Sequence, residues 1–132
     1  MIDASQSTGH NIVNGNLGAD TITGGDGSSI LFGGQGDDVI TGGASADFLS
    51  GDRGSNTLTG GGGGDWFHAG PGIDHVTDFS QAQGDHIVID PGVDFSAAQV
   101  GQDTVISLSN GGQMTLVGVQ YAGLTGGWIV HV

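Results

Sequence analysis

Residues 33–68 read GGQGDDVIT (33–41), GGASADFLS (42–50), GDRGSNTLT (51–59) and GGGGGDWFH (60–68), four nine-residue units laid end to end. Each opens on glycine, carries Asp or Asn at its sixth position and places an apolar residue at its eighth. Outward from this block the register continues through GNLGADTIT (15–23) and GGDGSSILF (24–32). It persists in worn form in QSTGHNIVN (6–14) and AGPGIDHVT (69–77). The eighth position reads Val13, Ile22, Leu31, Ile40, Leu49, Leu58, Phe67 and Val76, apolar in every unit. Chance low complexity would not keep that column clean, and a fixed short period is the signature of a solenoid.

Each unit has a physical reading. Its glycine-rich first half suits a tight turn, because glycine adopts positive φ without a Cβ clash. Its last three residues, such as Thr21-Ile22-Thr23 or Val39-Ile40-Thr41, favour a strand whose middle side chain points one way and whose neighbours point the other. Turn, strand, turn, strand predicts a coil with two strands per turn, so one turn takes two units, or 18 residues. The expected fold is all-β: a parallel β-roll, a two-sheet solenoid whose eighth-position column fills the space between the sheets.

Composition agrees and excludes much else. Of 132 residues 29 are glycine, and all fourteen carboxylates are aspartate, set against a single cation, Arg53, for a net charge of −13. So acidic a chain is repelled by phosphate backbones, which argues against a nucleic-acid partner. So many glycines argue against a helical bundle. No apolar run approaches the ~18 residues that would cross a membrane, so no membrane insertion is expected. The absence of cysteine excludes a disulfide framework and thiolate metal sites. Acidic, glycine-rich chains often stay disordered, but 36 % of residues are apolar and the charge is of one chemical type.

The pattern G-G-x-G-x-D-x-U-x, met at every fixed position by residues 33–41 and 60–68, resembles the RTX, or hemolysin-type, calcium-binding repeat. Asp78-Phe79-Ser80, Gly84 to Asp90 and Thr104 to Leu108 are more loosely similar to segments that close such rolls in serralysin-like proteases and alginate-epimerase accessory modules. The resemblance implies a β-roll binding calcium between successive turns. It also implies bacterial type I secretion machinery as a partner, with an uncleaved C-terminal signal and a secreted, extracellular location.

The residues support the calcium part independently. Calcium takes six to eight oxygens from carboxylates and backbone carbonyls. Glycine turns expose carbonyls, with Gly18, Gly34, Gly36, Gly43, Gly61 and Gly63 the expected donors, and the sixth position supplies side-chain oxygens. The short aspartate arm keeps its carboxylate near its own turn, where glutamate would overshoot. Pairing units 18 residues apart puts Asp20, Asp38, Asn56 and Asp74 on one edge, and Asn11, Ser29, Asp47 and Asp65 on the other. Asp20 with Asp38 and Asp47 with Asp65 form two complete sites. Asp38–Asn56 and Asn56–Asp74 each keep one carboxylate, giving up to about four Ca²⁺. Ser29 departs from the pattern and weakens its edge. Asp26, Asp37 and Asp52 read as solvated charge, Asp85, Asp90, Asp94 and Asp103 as loop or turn residues, and Asp78 as a cap on the last turn.

Eight repeat aspartates face Arg53 alone, so the repeats are expected to stay unfolded until calcium cancels their repulsion. The outer faces differ. One carries Thr23, Thr41, Thr59 and Thr77, suited to exposed strands or to ordering water as ice-binding solenoids do. The other carries Ile12, Ile30, Phe32, Phe48, Trp66 and His68. That row is expected to be covered by the C-terminal residues or a neighbouring domain, or to act as a ligand platform.

In the tail, His86–Ile89, Thr104–Ser109, Met114–Val119 and Trp128–Val132 read as strands, with Asn110-Gly111-Gly112 as a hairpin turn. The last of these is equally a secretion-signal end. The expected organisation is a leader or remnant at 1–5, the roll at 6–77 and a C-terminal β cap at 78–132, with a covalently linked upstream domain as a further partner. Five scattered histidines, no glutamate, no H-E-x-x-H and no G-x-S-x-G argue against catalysis. The reading is a non-catalytic calcium module that stabilises a parent protein and assists its secretion. The alternative is an extracellular binding module for neutral polysaccharide or ice.

Overall fold

The computed structural model describes residues 1–131. Nine strands build the coil: β1 (Ile2–Asp3), β2 (Asn11–Asn14), β3 (Thr21–Thr23), β4 (Ser29–Gln35), β5 (Val39–Gly43), β6 (Phe48–Arg53), β7 (Ser55–Gly61), β8 (Trp66–Ala69) and β9 (Ile73–Val76). The tail adds β10 (His86–Ile89), β11 (Phe95–Val100), β12 (Asp103–Leu108), β13 (Gln113–Leu116) and β14 (Ile129–His131). Odd and even coil strands part into two sheets. One runs β1-β3-β5-β7-β9-β13-β12-β11 and the other β14-β10-β8-β6-β4-β2.

Within the repeats every pairing is parallel and in the nine-residue register, as in Ile22↔Ile40, Ile40↔Leu58 and Leu58↔Val76, and Leu31↔Leu49 and Leu49↔Phe67. The eighth-position side chains therefore stack as the sequence requires. Ile22, Leu31, Ile40, Leu49, Leu58, Phe67 and Val76 are all fully buried, and Val13, on the outermost rung, is half-buried against the same cluster. Several strands outrun the three residues expected, continuing into the next glycines. The cause is visible at Gly34 in β4, where φ is +102° and a Cβ would strike the Asn16 carbonyl oxygen of the turn beneath. Turns stacked that closely leave no room for side chains and let the backbone ladder carry on through them.

The ends of the roll are closed by non-repeat structure. Ile2 pairs with Ile22, adding β1 beside β3. At the other end β10 continues the even sheet on β8, and β13 continues the odd sheet on β9. Ile87, Ile89, Ile106, Met114 and Leu116 prolong the core, with Phe79 and the half-buried Trp128 packed edge-on at 6.3 Å over it. The tail strands fall close to the sequence expectation, and of Trp128–Val132 the final Val132 lies outside the described residues.

Strand β11 carries no clear signal in the sequence. Its Phe-Ser-Ala-Ala-Gln-Val composition has little strand propensity. It is held by antiparallel pairing from Phe95↔Leu108 to Val100↔Asp103.

One outer face also differs from expectation. The tail stacks on the end of the even sheet rather than over its apolar face, leaving Ile12, Ile30 and Trp66 exposed at 78 %, 40 % and 37 %. The tail touches this face at its edge, where Asp90 reaches back to His68 and His86 stacks on Trp66. On the opposite face, Thr59 and Thr77 share a 2.6 Å hydrogen bond with each other.

Candidate metal centre

The sixth-position residues stand where each glycine turn meets its strand, so the coil stacks them in two columns inside the turn edges. Asp38, Asp47, Asn56, Asp65 and Asp74 are buried, and Asp20, on the first turn, is half-buried. One bond repeats along each column: Oδ1 accepts the backbone N–H of the sixth-position residue one turn earlier. Asp20 N donates to Asp38 Oδ1 (2.7 Å) and Asp38 N to Asn56 Oδ1 (2.9 Å). On the other edge Ser29 N donates to Asp47 Oδ1 (2.7 Å) and Asp47 N to Asp65 Oδ1 (2.9 Å). Both pairs expected from the spacing, Asp20–Asp38 and Asp47–Asp65, are thus brought together.

The second oxygens tell the rest. Oδ2 of Asp20, Asp38, Asp47, Asp65 and Asp74 is buried and accepts no hydrogen bond. A buried carboxylate oxygen without a partner is strongly unfavourable, and here it recurs with the period of the fold. Room for these oxygens comes from the first glycine of each unit: a Cβ at Gly33 would strike Asp38 Oδ2, and one at Gly60 would strike Asp65 Oδ2. Burial raises the carboxyl pKa of Asp38 and Asp47 above the ordinary range. Burial lifts Asp65 and Asp74 to about 7. Among the described residues little cationic charge offsets this: Arg53 is exposed, and the Met1 ammonium reaches Asp20 alone, 3.9 Å from its Oδ1.

A hard cation fits these donors, which are oxygens throughout. Among the described residues no three His or Asp side chains gather in one cluster, so a cation here would take many of its ligands from backbone carbonyls. Gly18, Gly34, Gly36, Gly61 and Gly63 all hold positive φ in the turns. The Gly43 carbonyl is engaged by Gly62 N–H (2.9 Å). Asn56 behaves differently from its aspartate neighbours. Its Nδ2 donates to Asp74 Oδ1 (2.8 Å), so an amide proton already satisfies half of that carboxylate. Asn11 turns into its own loop, donating to Gly9 O (3.3 Å), and Ser29 Oγ donates to Gly27 O (3.2 Å).

Two acids read from sequence as outside the columns sit at their ends. Asp85, expected to be a loop residue, is buried. It accepts Asp65 N–H at Oδ1 and Ser80 N–H at Oδ2 (both 2.8 Å), extending the Asp47–Asp65 column by one rung. Its spacing from Asp65 is 20 residues, because a short 3₁₀ turn at Gln81–Gln83 intervenes. The Gly84-Asp85-His86-Ile87 pattern was the available signal. Asp78 caps the last full turn, accepting Gly60 and Gly61 N–H at 2.9 and 2.8 Å. Asp26 and Asp37 are exposed, and Asp52 is half-buried and takes the Ser50 hydroxyl proton at 2.6 Å.

Ser50, His68 and Asp90 also form a line, at 3.0 Å from Ser50 Oγ to His68 Nδ1 and 2.9 Å from Nε2 to Asp90. Ser50 is wholly buried, so its hydroxyl has no approach for a substrate. The line fastens the tail.

The model of the RTX calcium-binding nonapeptide repeat (4 copies) matches residues 7–40, 23–58 and 41–76. No curated protein matches the chain. Among solved structures, the solution structure of the AlgE6R3 subunit from the Azotobacter vinelandii mannuronan C5-epimerase is 25 % identical. That alignment covers 92 % of this chain and 78 % of that one, at a TM-score of 0.39.

Proposed function

The chain belongs to the RTX calcium-binding nonapeptide repeat family, and from that premise we propose that it is a module that folds when calcium arrives outside the cell. There it stabilises a parent protein and assists its export through type I secretion machinery. The observation that carries this reading is the set of five buried, unpartnered Oδ2 atoms. They make the metal-free roll electrostatically costly and give a cation something to coordinate. Asp20 with Asp38, and Asp47 with Asp65, hold the two complete sites. Asp85 adds a carboxylate after Asp65, and Asn56 and Asp74 serve a weaker one. Gly18, Gly34, Gly36, Gly43, Gly61 and Gly63 lend carbonyl oxygens. Bound Ca²⁺ supplies positive charge between turns, and the residues supply its cage.

In this reading residues 6–77 are the metal-dependent part and 78–132 its cap. Calcium is scarce in the cytosol and plentiful outside, so the charge keeps the chain unfolded before export and lets it fold afterwards. Far-ultraviolet circular dichroism during titration with CaCl₂ tests it, with MgCl₂ and chelator as controls. A β spectrum should grow with calcium and collapse with chelator. A spectrum indifferent to chelator would sink the proposal.

A further inference from the structure

The outer face of the even sheet carries chemistry that calcium does not use. Ile12, Ile30, Phe48, Trp66 and His86 occupy one row on consecutive rungs, about 4.8 Å apart. Trp66 stacks on His86 with ring centres 4.6 Å apart and planes 14° apart. Phe48, the neighbour on its other side, leans toward Phe32 (6.0 Å) and His68 (6.2 Å) instead. One indole face is therefore free of aromatic contact. The turns beside this row end in the small residues Ser28 and Ala46. The result is a groove of about 360 Å³ lined by Trp66, Phe48, Ile30, Ala46, Ser28 and His10. Its one acid, Asp47, is buried, so no charge faces a ligand there.

We propose that this groove binds a neutral glycan, an uncharged chain of pyranose units. A pyranose ring offers a patch of C–H bonds to an indole face and hydroxyls around its rim. Trp66 meets the first, while the Ser28 hydroxyl and the His10 ring meet the second, the mixture of apolar wall and few polar groups that small-ligand sites use. Beyond the Asn14–Phe32 rung a second depression of about 330 Å³, lined by Asn14, Asn16, Gln35, Asp52 and Arg53, offers further amides, a carboxylate and a guanidinium to hydroxyls.

Charge selects among occupants. At −13 without metal, and still net negative with about four Ca²⁺ bound, the chain repels polyanions, and two copies brought face to face repel each other. A protein partner would need about 800 Å² of matching surface, far more than this narrow groove presents.

The test is isothermal titration, with Trp fluorescence alongside, using cellohexaose, laminarihexaose and maltohexaose in saturating calcium and polygalacturonate as the charged comparison. At least one neutral hexasaccharide should bind saturably. Trp66→Ala, which removes the stacking face, and Ser28→Trp, which fills the groove, should each weaken it about tenfold or more, with unchanged circular dichroism. Should Trp66→Ala lose its calcium-bound spectrum, Ser28→Trp decides. Absence of binding by all three sugars, tighter binding of polygalacturonate, or affinity retained in Ser28→Trp would each overturn the proposal.

Discussion

Asp65→Asn separates the two roles of a sixth-position carboxylate. The asparagine keeps an Oδ1 to accept Asp47 N–H, and Asp65 N still donates to Asp85. What changes is Oδ2, which becomes an uncharged NH₂. In the metal-free roll burial lifts the Asp65 carboxyl from 3.8 to about 7. That displacement is a penalty of up to about 4 kcal/mol when the group is ionised, and water reaching the turn reduces it. Removing the charge should therefore stabilise the metal-free roll, or raise its residual structure, by one to a few kcal/mol.

With calcium the sign reverses. Opposite unit charges about 4 Å apart attract by about 4 kcal/mol at the effective dielectric of a protein. Losing only half of that weakens calcium binding at the Asp47–Asp65 site by roughly thirtyfold. Thermal unfolding in chelator and in saturating calcium, with calorimetric titration of the metal, reads both effects. Equal destabilisation in the two conditions, with calcium affinity unchanged, would falsify the assignment and leave Asp65 as a hydrogen-bonding residue.

Four further outcomes are expected. Asn56→Asp replaces the Nδ2–Asp74 bond with repulsion, so the variant should be less ordered in chelator yet bind calcium more tightly on that edge, read by titration stoichiometry and affinity. Asp65 and Asp74 bind protons more tightly in the folded metal-free chain than unfolded. That state should therefore gain stability, read as β content growing in chelator as pH falls from about 7 toward 4, and calcium affinity, read by calorimetric titration, should rise as pH rises through 7. Gly33→Ala drives a Cβ into Asp38 Oδ2, with Gly51 O only 2.9 Å away, and should lower the calcium-bound melting point by an amount equivalent to about 1–3 kcal/mol. Asp90→Asn loosens the tie to His68. Because Asp90 is half exposed, the loss should be under about 1 kcal/mol and show as faster amide exchange near the start of the tail.

The roll was legible because its information is local and repeated. Nine residues specify a turn and a strand, and translation along the axis then sets every partner 18 residues away, which is why Asp20–Asp38 and Asp47–Asp65 could be paired from spacing alone. Asp85 escaped because the inserted 3₁₀ turn breaks that translation, though its side chain performs the same bond. Strand β11 escaped because pairing with β12, rather than its own residues, makes it extended.

By itself the sequence determined the period, the core column and which residues face the turn interior, since alternation and glycine turns follow from backbone sterics. Only the tertiary structure decided how Asp38, Asp47 and Asp65 divide their oxygens, one to the ladder and one left buried without a partner. It also decided that the tail closes the end of the roll and leaves the Trp66 face open. Those outcomes depend on distances between turns and on where non-repeating strands dock, and no nine-residue pattern carries them.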